Sequence, residues 1–414
     1  MKYNKWTVAL AALGVVSFAS AAKAEEQAST VKTALSSTTI SGYVDTSAEW
    51  NPGTGNGVNY APYKFNSAQM SDGFNLDVIQ LRIDKPLDET DWAAGYRADF
   101  WFGPDANALG TSSLGVNNSD FAIRQAYVAL RAPVGTGLDF KMGVFDSIIG
   151  YESVEAGNNP NFTRSYGHSI EPQTMTGLLT SYRFCDCFTA SFGIADTMGP
   201  TINDRAFAPT NVPQRQAYAE SYKTYMGSLA LTAPDSWGFL SGSTLYAGIV
   251  GGFLDNTAAN VGPGSSSAQS YYVGATIATP VTGLRAGASF DLLAIDNADN
   301  QTYSVAGYLS YQATEKLSFH GRAEYYKDKL GNSATQGAVL FTDVPVGSRA
   351  EVLSLTGTVQ YDLWKNVISR LELRWDHSLN YQNLFDGNML PNGNNGLPTS
   401  LNSWMLAANV IYKF

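Results

Sequence analysis

The chain has 414 residues, of which 15% are charged, and a formal net charge of −10. An acidic chain of this kind does not favour nucleic acid as a partner, because the phosphates would be repelled. Its length exceeds the roughly 250 to 300 residues that one compact core supports, so it forms either several domains or one large closed sheet. The 23 tyrosines, 20 phenylalanines and 39 glycines favour the sheet.

The first residues follow the order of a secretory signal peptide. Lys2 and Lys5 precede an apolar run over 6–18, and small residues end in Ala22-Lys23-Ala24. We therefore expect residues 1–24 to be removed and residues 25–37 to form a polar leader. Removal leaves 23 basic against 36 acidic residues, a net charge of about −13. The apolar run falls short of the roughly 20 residues that a membrane-spanning helix needs.

From residue 38 onwards, apolar and polar residues alternate in segments separated by turn residues. Apolar residues every second position with charged residues between them predict strands with one apolar and one polar face. The pattern predicts sixteen strands, over 38–50, 74–85, 90–103, 120–133, 137–146, 174–184, 187–197, 221–233, 239–253, 270–279, 283–295, 301–312, 315–327, 350–362, 366–378 and 400–414.

The connections between these strands alternate between short turns and long loops that are rich in glycine, asparagine and serine. Short turns at one rim and long loops at the other are typical of outer-membrane barrels, and an even strand count puts both chain ends at the short-turn rim. A soluble sandwich or propeller would alternate similarly, but not with this loop asymmetry behind a signal peptide. The sequence predicts an all-β fold, a transmembrane antiparallel β-barrel over 38–414, surrounded by the lipid of the bacterial outer membrane.

The last predicted strand adds an independent indication. Its apolar residues share one face, and the chain stops at Phe414. A strand that ends in this way resembles the terminal recognition signal of bacterial outer-membrane barrels. We therefore expect the barrel-assembly machinery to be a partner that recognises Phe414.

Several segments carry a family resemblance. They are Arg124–Pro133 (RQAYVALRAP), Gly137–Asp146 (GLDFKMGVFD), Glu220–Gly227 (ESYKTYMG) and Ala233–Gly238 (APDSWG). The sequence resembles the putative β-barrel porin-2 family, also called OmpL-like. The resemblance covers most of the chain and implies an outer-membrane porin without fixing a substrate.

The connection after the fifth strand, about 147–173, is long, mixed and poorly periodic. In general diffusion porins, which this architecture resembles, the third long loop folds inward and narrows the channel. An ordinary surface loop is the alternative, but Ile148, Ile149 and Tyr151 are too apolar for a freely solvated segment. We therefore predict an infolded constriction loop that carries Glu152 and Glu155.

Charged residues on the polar faces of the strands are expected to face the lumen. Arg97, Arg322, Arg370 and Arg374 lie nearest mid-height when residues are counted from the short turns. With Glu152 and Glu155 they are the candidate pore constriction, because opposite charges across a narrow opening set a field there. In the alternative reading, the wall charges pair with their own neighbours: Arg322 with Glu324, Arg370 with Glu372, and Arg374 with Asp376.

The resulting prediction is a porin for passive diffusion of ions and small hydrophilic solutes, with a homotrimer expected by analogy alone. One alternative is a substrate-selective porin with an aromatic binding track of Tyr43, Trp101, Tyr127 and Tyr308. Another is a non-conducting structural or enzymatic barrel. His168, His320 and His377 are the three histidines, and no serine motif accompanies them, so no catalytic residue is assigned.

No metal site or cofactor is predicted, because no zinc-spaced, calcium-loop or phosphate-cradle motif occurs. The two cysteines, Cys185 and Cys187, are separated by a single residue. A disulfide between them would close a very small ring, so the favoured interpretation is two small residues in a tight turn, with their oxidation left open.

Overall fold

The structure is a computed structural model that describes residues 29–33, 36–53, 59–111, 119–208, 217–218, 220–254, 266–295, 301–328, 340–341, 349–387 and 396–414. The predicted signal peptide lies outside these described residues. Within them, no helix is both long enough and apolar enough to cross a membrane.

The described residues form a closed antiparallel barrel of sixteen strands, as the alternation predicts. The strands are β1 (Ser36–Trp50), β2 (Gly73–Lys85), β3 (Ala93–Phe102), β4 (Phe121–Ala132), β5 (Leu138–Asp146), β6 (Thr174–Cys185), β7 (Phe188–Ala195), β8 (Thr224–Thr232), β9 (Thr244–Phe253), β10 (Ser267–Ala278), β11 (Leu284–Ile295), β12 (Gln301–Gln312), β13 (Leu317–Asp328), β14 (Glu351–Trp364), β15 (Val367–Ser378) and β16 (Asn402–Lys413).

Each strand pairs with the next, and the ring closes between β16 and β1. Lys413 lies opposite Tyr43, and Leu406 lies opposite Trp50. Beyond that ladder, the N–H of Gly42 donates to the Phe414 carbonyl (2.9 Å), and the N–H of Phe414 donates to the Gly42 carbonyl (3.0 Å). Closure removes the free edges that an open sheet would expose.

A short strand, Ser29–Thr33, pairs with the start of β1. The described connections also hold helices α1 (Pro104–Leu109) and α2 (Tyr166–Ile170) and three 3₁₀ turns, Ala68–Met70, Ala156–Asn158 and Asp235–Leu240. The last of these explains one difference from prediction. β9 begins at Thr244 rather than at 239, because the apolar pattern continues through Trp237 and Phe239 on an exposed turn.

Burial alternates along the strands with the polar face inward. In β13, Ser318, Arg322 and Glu324 are 3%, 2% and 1% exposed, whereas Phe319 on the outer face is 43% exposed. Apolar side chains cover the outer wall, and the aromatic side chains of Phe102, Phe184, Tyr311 and Phe414 are exposed near strand ends, as in the aromatic girdles of outer-membrane barrels. A soluble sandwich would bury the opposite face of each strand.

The connection between β6 and β7 is the tight turn that the sequence favours, and the structure answers the question of oxidation that the sequence leaves open. Cys185 and Cys187 are joined by a disulfide, with their Cα atoms 5.3 Å apart. That separation lies within the usual range for disulfides. The chain reverses at Asp186, and this tight turn keeps the two cysteines close.

The closing seam gives a test of the barrel. A Cβ on Gly42 would lie 2.1 Å from the carbonyl oxygen of Gln80 and 2.7 Å from the ring of Phe414. We expect Gly42→Val to destabilise the barrel by about 1–3 kcal/mol, because the strand backbone must shift. The loss is measured as a lower temperature for the heat-induced change in gel mobility. Gly307→Val is the matched control, because a Cβ there meets nothing within 4 Å; equal losses in both variants would contradict the packing at the seam.

Candidate functional site

The connection after β5, residues 147–173, folds into the lumen as predicted, and it is called the inner loop below. Near the start of the inner loop, Gly150 has a φ of 124°, a backbone conformation that residues other than glycine rarely adopt. Asn159 fixes the first turn: its side chain accepts from the N–H of Ser153 (2.6 Å) and donates to the Ser153 and Glu155 carbonyls (2.6 and 3.1 Å). The inner loop therefore has a defined path before it meets the opposite wall.

Helix α2 shapes the far end of the inner loop. Ser165 caps it, because its hydroxyl accepts from the N–H of His168 (3.0 Å). Gln173 donates to the His168 carbonyl (2.8 Å) and closes the return to β6. His168 is 2% exposed, and burial lowers its pKa to about 3, so its ring is neutral at pH 7.

Two wall carboxylates accept hydrogen bonds from the backbone of the inner loop. Glu372 on β15 accepts from the N–H groups of Phe162 (2.6 Å) and Thr163 (2.9 Å). Glu324 on β13 accepts from the N–H groups of Tyr166 and Gly167, each at 2.9 Å. Both carboxylates are almost fully buried, so each holds two successive amides with little competition from water.

Three wall arginines bind carbonyl groups of the same segment. Arg370 donates to the carbonyls of Ala156 (3.1 Å) and Asn159 (2.5 Å). Arg322 donates to the Thr163 carbonyl (2.8 Å), and Arg374 donates to the Arg164 carbonyl (2.6 Å). The wall thus satisfies the backbone of the inner loop from both sides, with acids for its donors and arginines for its acceptors.

Glu152 forms a buried ion pair with the opposite wall. Its carboxylate lies 2.7 Å from Arg322, and the two side chains are 1% and 0% exposed. It also accepts from the N–H of Ser165 (2.7 Å). Removing one partner of such a pair costs about 3–5 kcal/mol, because the other charge stays buried without compensation.

Glu155 lies on the other side of the lumen among three arginines. Arg124 is 3.1 Å away, Arg97 is 3.4 Å away, and Arg82 forms the shortest contact. Asp99 binds the same three arginines at 2.8 Å each. Burial raises the pKa of Glu155, but the three positive charges outweigh it and bring the pKa to about 2.

All six predicted constriction residues therefore touch the inner loop or belong to it: Glu152, Glu155, Arg97, Arg322, Arg370 and Arg374. The alternative pairing holds for Arg374, which lies 2.9 Å from Asp376. Arg322 instead binds Glu152, and Arg370 binds Gln360 and loop carbonyls. The acids Glu324 and Glu372 hold loop amides, a use that the alternating charges alone do not reveal.

Glycines in the wall receive the apolar side chains of the inner loop. A Cβ on Gly287 of β11 would lie 1.8 Å from the Tyr151 hydroxyl, and one on Gly248 of β9 would lie 2.5 Å from Ile149. Tyr151 also stacks on Tyr308 with ring centroids 4.1 Å apart. Sequence reasoning missed these positions, although a glycine on the inner face of a strand signals a close approach.

The aromatic track of the alternative prediction does not line open water. Tyr43 and Tyr308 are 5% exposed and Trp101 is 1% exposed. Trp101 packs against Phe65, with ring centroids 5.7 Å apart. Tyr127 is only partly buried and lies beside Lys141, whose ammonium is 5.1 Å from the ring centroid. Three of the four predicted residues support packed loops instead.

Solvent reaches the opposite part of the wall. The side chains of Arg82, Arg97 and Asp146 are 23%, 20% and 24% exposed, against 0% for Arg322 and Arg374. These accessible residues lie on β2, β3 and β5. The backbone of the inner loop is therefore held by β13–β15. On the β2–β5 side the loop makes contact through Glu155 and leaves Arg82, Arg97 and Asp146 partly exposed.

Among the described residues, no group of three or more His, Cys, Asp or Glu side chains is arranged to hold a metal ion. The ring of His320 lies between the hydroxyls of Ser310 and Ser318, at 2.9 Å from each. His377 binds Asn402 (2.8 Å) and stacks on Trp375.

The sequence model of one family, described as "Putative beta-barrel porin-2, OmpL-like", matches residues 37–414. The chain belongs to this family. The family and the barrel place it in the bacterial outer membrane. A search of curated protein sequences finds no match.

Solved structures of outer-membrane channels share the fold at low sequence identity. The outer membrane channel DcaP of Acinetobacter baumannii has a TM-score of 0.57 at 11% identity, with 93% of this chain and 99% of DcaP covered. OmpF of Salmonella typhi has a TM-score of 0.56 at 15% identity over 92% and 98%. An anion-selective porin from Comamonas acidovorans has a TM-score of 0.55 at 12% identity over 91% and 99%.

The carboxylates that hold loop amides can be tested separately. We expect Glu324→Gln to speed hydrogen exchange at Tyr166 and Gly167 roughly tenfold, because a neutral acceptor binds an amide about half as strongly. Glu372→Gln is expected to do the same at Phe162 and Thr163. Exchange is measured by mass spectrometry on peptides of the folded protein, and each variant is the control for the other. If either variant accelerated exchange equally at both pairs of amides, each carboxylate could not be holding only its own pair.

The low pKa of Glu155 predicts an acid-sensitive attachment. The carboxyl ionises near 4.5 when it is free and near 2 in the folded protein, so its stabilisation is complete above about pH 4.5 and is lost as the pH falls towards 2. We expect the unfolding temperature to fall across this window. Glu155→Gln should be less stable at pH 7 and should show a weaker dependence below pH 4.5. An unchanged pH profile in the variant would refute the role of Glu155.

Proposed function

We propose that the protein is a porin through which ions and small hydrophilic solutes diffuse passively. The observation that supports this is the difference between the two sides of the lumen. Backbone contacts fasten the inner loop to β13–β15, while charged side chains along β2–β5 keep contact with water. A narrowed polar passage on the β2–β5 side suits solutes that stay hydrated.

The charges of that passage favour general diffusion over strong selection by charge. Partly exposed side chains there carry charges of both signs. Arg82, Arg97 and Lys141 are positive, and Asp84, Asp146 and Glu155 are negative, so the two signs balance. A balanced set attracts neither ion class over a long distance, because opposite charges at close range cancel their outer field. We therefore propose modest ion selectivity that single wall charges can tip.

An enzymatic role has little support in the described histidines. His320 contacts two hydroxyls but no carboxylate that would orient its ring, and His168 is enclosed by the inner loop. We propose that the protein is not an enzyme and needs no cofactor for solute passage.

The remaining expectations concern export and assembly. We propose that residues 1–24 direct export, that the barrel-assembly machinery recognises Phe414, and that the barrel forms a homotrimer. One similar structure, OmpT of Vibrio cholerae at 10% identity and a TM-score of 0.53, is described as a trimer form. Chemical cross-linking of the protein in native membranes would test the oligomer.

The decisive experiment is conductance in a planar bilayer. We expect discrete single-channel steps and a reversal potential close to zero in a salt gradient, because the passage is polar and balanced in charge. Silent membranes at protein amounts that conduct for a known porin would overturn the proposal. Block of the current that saturates with one solute would favour a substrate-selective porin instead.

Two substitutions that remove charges of opposite sign test where the passage lies. Arg97→Gln should shift the selectivity a few-fold towards cations, and Asp84→Asn should shift it towards anions, because each removes one partly exposed charge. Lys365→Gln in the turn between β14 and β15 is the control of equal charge change outside the lumen. If Arg97→Gln shifts the reversal potential no more than this control, the passage does not follow β2–β5.

A further inference from the structure

The turn between β6 and β7 carries an exposed disulfide that neither the barrel nor the channel uses. Cys185 and Cys187 are bonded at a sequence separation of 2, so their ring encloses Asp186 alone. All three residues are exposed, and the preceding Phe184 is 54% exposed. The disulfide is therefore open to solution on the rim where the short turns lie.

The fold does not need this bond to keep its shape. The Cys187 carbonyl accepts from the N–H of Thr232 on β8 (2.9 Å). The strands β6 and β7 pair with each other up to the turn, and each also pairs with its outer neighbour, β5 or β8. Arg183 donates to the Cys185 carbonyl (3.3 Å). A disulfide stabilises mainly by restricting the unfolded chain, and this effect is smallest for the shortest loops. The ladder thus holds the turn, whether its sulfurs are bonded or free.

We propose that Cys185–Cys187 is a thiol–disulfide exchange site that accepts electrons from protein dithiols. Exposed disulfides in small, constrained rings are the ones that exchange readily, because the attacking sulfur can reach them and opening relieves the ring. Arg183 donates to the Cys185 carbonyl, and its guanidinium pairs with Asp186. The acidic side chain inside the ring is therefore neutralised and does not repel an attacking thiolate.

The exchange balances within one turnover. A thiolate of the donor attacks one sulfur of the disulfide, forms a mixed disulfide and releases the other cysteine as a thiolate. The second thiol of the donor then attacks the mixed disulfide. The donor leaves with a disulfide, and Cys185 and Cys187 remain as two thiols that hold the two electrons and two protons of the donor.

The position of the turn indicates the source of the donor. Short turns and chain ends share one rim, which faces the periplasm in outer-membrane barrels. The bacterial periplasm has no thiol buffer that sets its redox state, so protein thiols are the donors to expect. The site is placed where such proteins can reach it without entering the lumen.

The test uses the full barrel in detergent micelles. Reduced glutathione is added as the probe, free thiols are alkylated at set times, and the mass of the peptide that contains 183–188 is measured. We expect the disulfide to open at least tenfold faster than in a control with two glycines inserted after Asp186, which enlarges the ring and keeps both cysteines. Opening at the same rate as in this control, or no opening under a large excess of glutathione, would overturn the proposal.

A second arm distinguishes the source of thiols. The reduced, dithiol form of a thioredoxin is mixed with the oxidised barrel, and both proteins are trapped by alkylation. We expect one thioredoxin disulfide for each reduced turn. Reaction with glutathione but not with thioredoxin would refute the protein dithiol as donor. The double variant Cys185→Ser/Cys187→Ser should keep the conductance and the unfolding temperature of the native barrel; loss of either would show a structural bond instead.

Discussion

The structure depends on buried charges that bind main-chain groups of the inner loop. Glu324 and Glu372 each accept from two successive N–H groups, and Arg322, Arg370 and Arg374 donate to carbonyls of the same segment. A segment that crosses a barrel without forming a strand would otherwise leave its peptide groups unsatisfied, which is costly when water is excluded. The wall replaces the ladder that this segment lacks.

This arrangement divides the lumen into two unlike halves. On β13–β15 the charges are buried and already used by the inner loop, so they are poorly available to a passing ion. On β2 and β3, Arg82 and Arg97 share Asp99 and Glu155 but keep part of their surface in water. The same residue type therefore has two roles, and burial, rather than height in the barrel, separates them.

The barrel could be predicted from the sequence because the alternation within each short segment is enough to identify a strand. Alternation, turn lengths and the terminal Phe414 all repeat the same information, and the inner loop was recognisable from Ile148, Ile149 and Tyr151. The contacts of that loop were beyond reach, since Arg322 and Glu152 lie 170 residues apart and pair only when the ring closes. Alternating charges such as those from Arg370 to Asp376 predict an inner face but do not say whether they bind each other or a third segment.

Small residues and cysteines were harder for a different reason. Gly248 and Gly287 were hidden among the many glycines, and their meaning depends on what approaches them from another segment. The sequence predicts a tight turn at Cys185 and Cys187 but leaves their bond open, because sequence separation gives the size of a ring but not the path of the backbone around it. In the structure the backbone reverses at Asp186 and leaves the Cα atoms of these cysteines 5.3 Å apart.

Because the wall holds peptide groups of the inner loop, much of its attachment is independent of which side chains the loop carries. Phe162, Thr163 and Arg164 are held through N–H and carbonyl groups that nearly every residue type possesses. Of the three, Phe162 is partly exposed, so its side chain can change while its backbone anchor stays. Thr163 and Arg164 are buried, and their side chains add anchors of their own, to Arg322 and to the carbonyls of Phe162 and Val154. A barrel that holds its loop in this way can vary the few loop side chains that reach the lumen without losing the backbone contacts that fix the path of the loop.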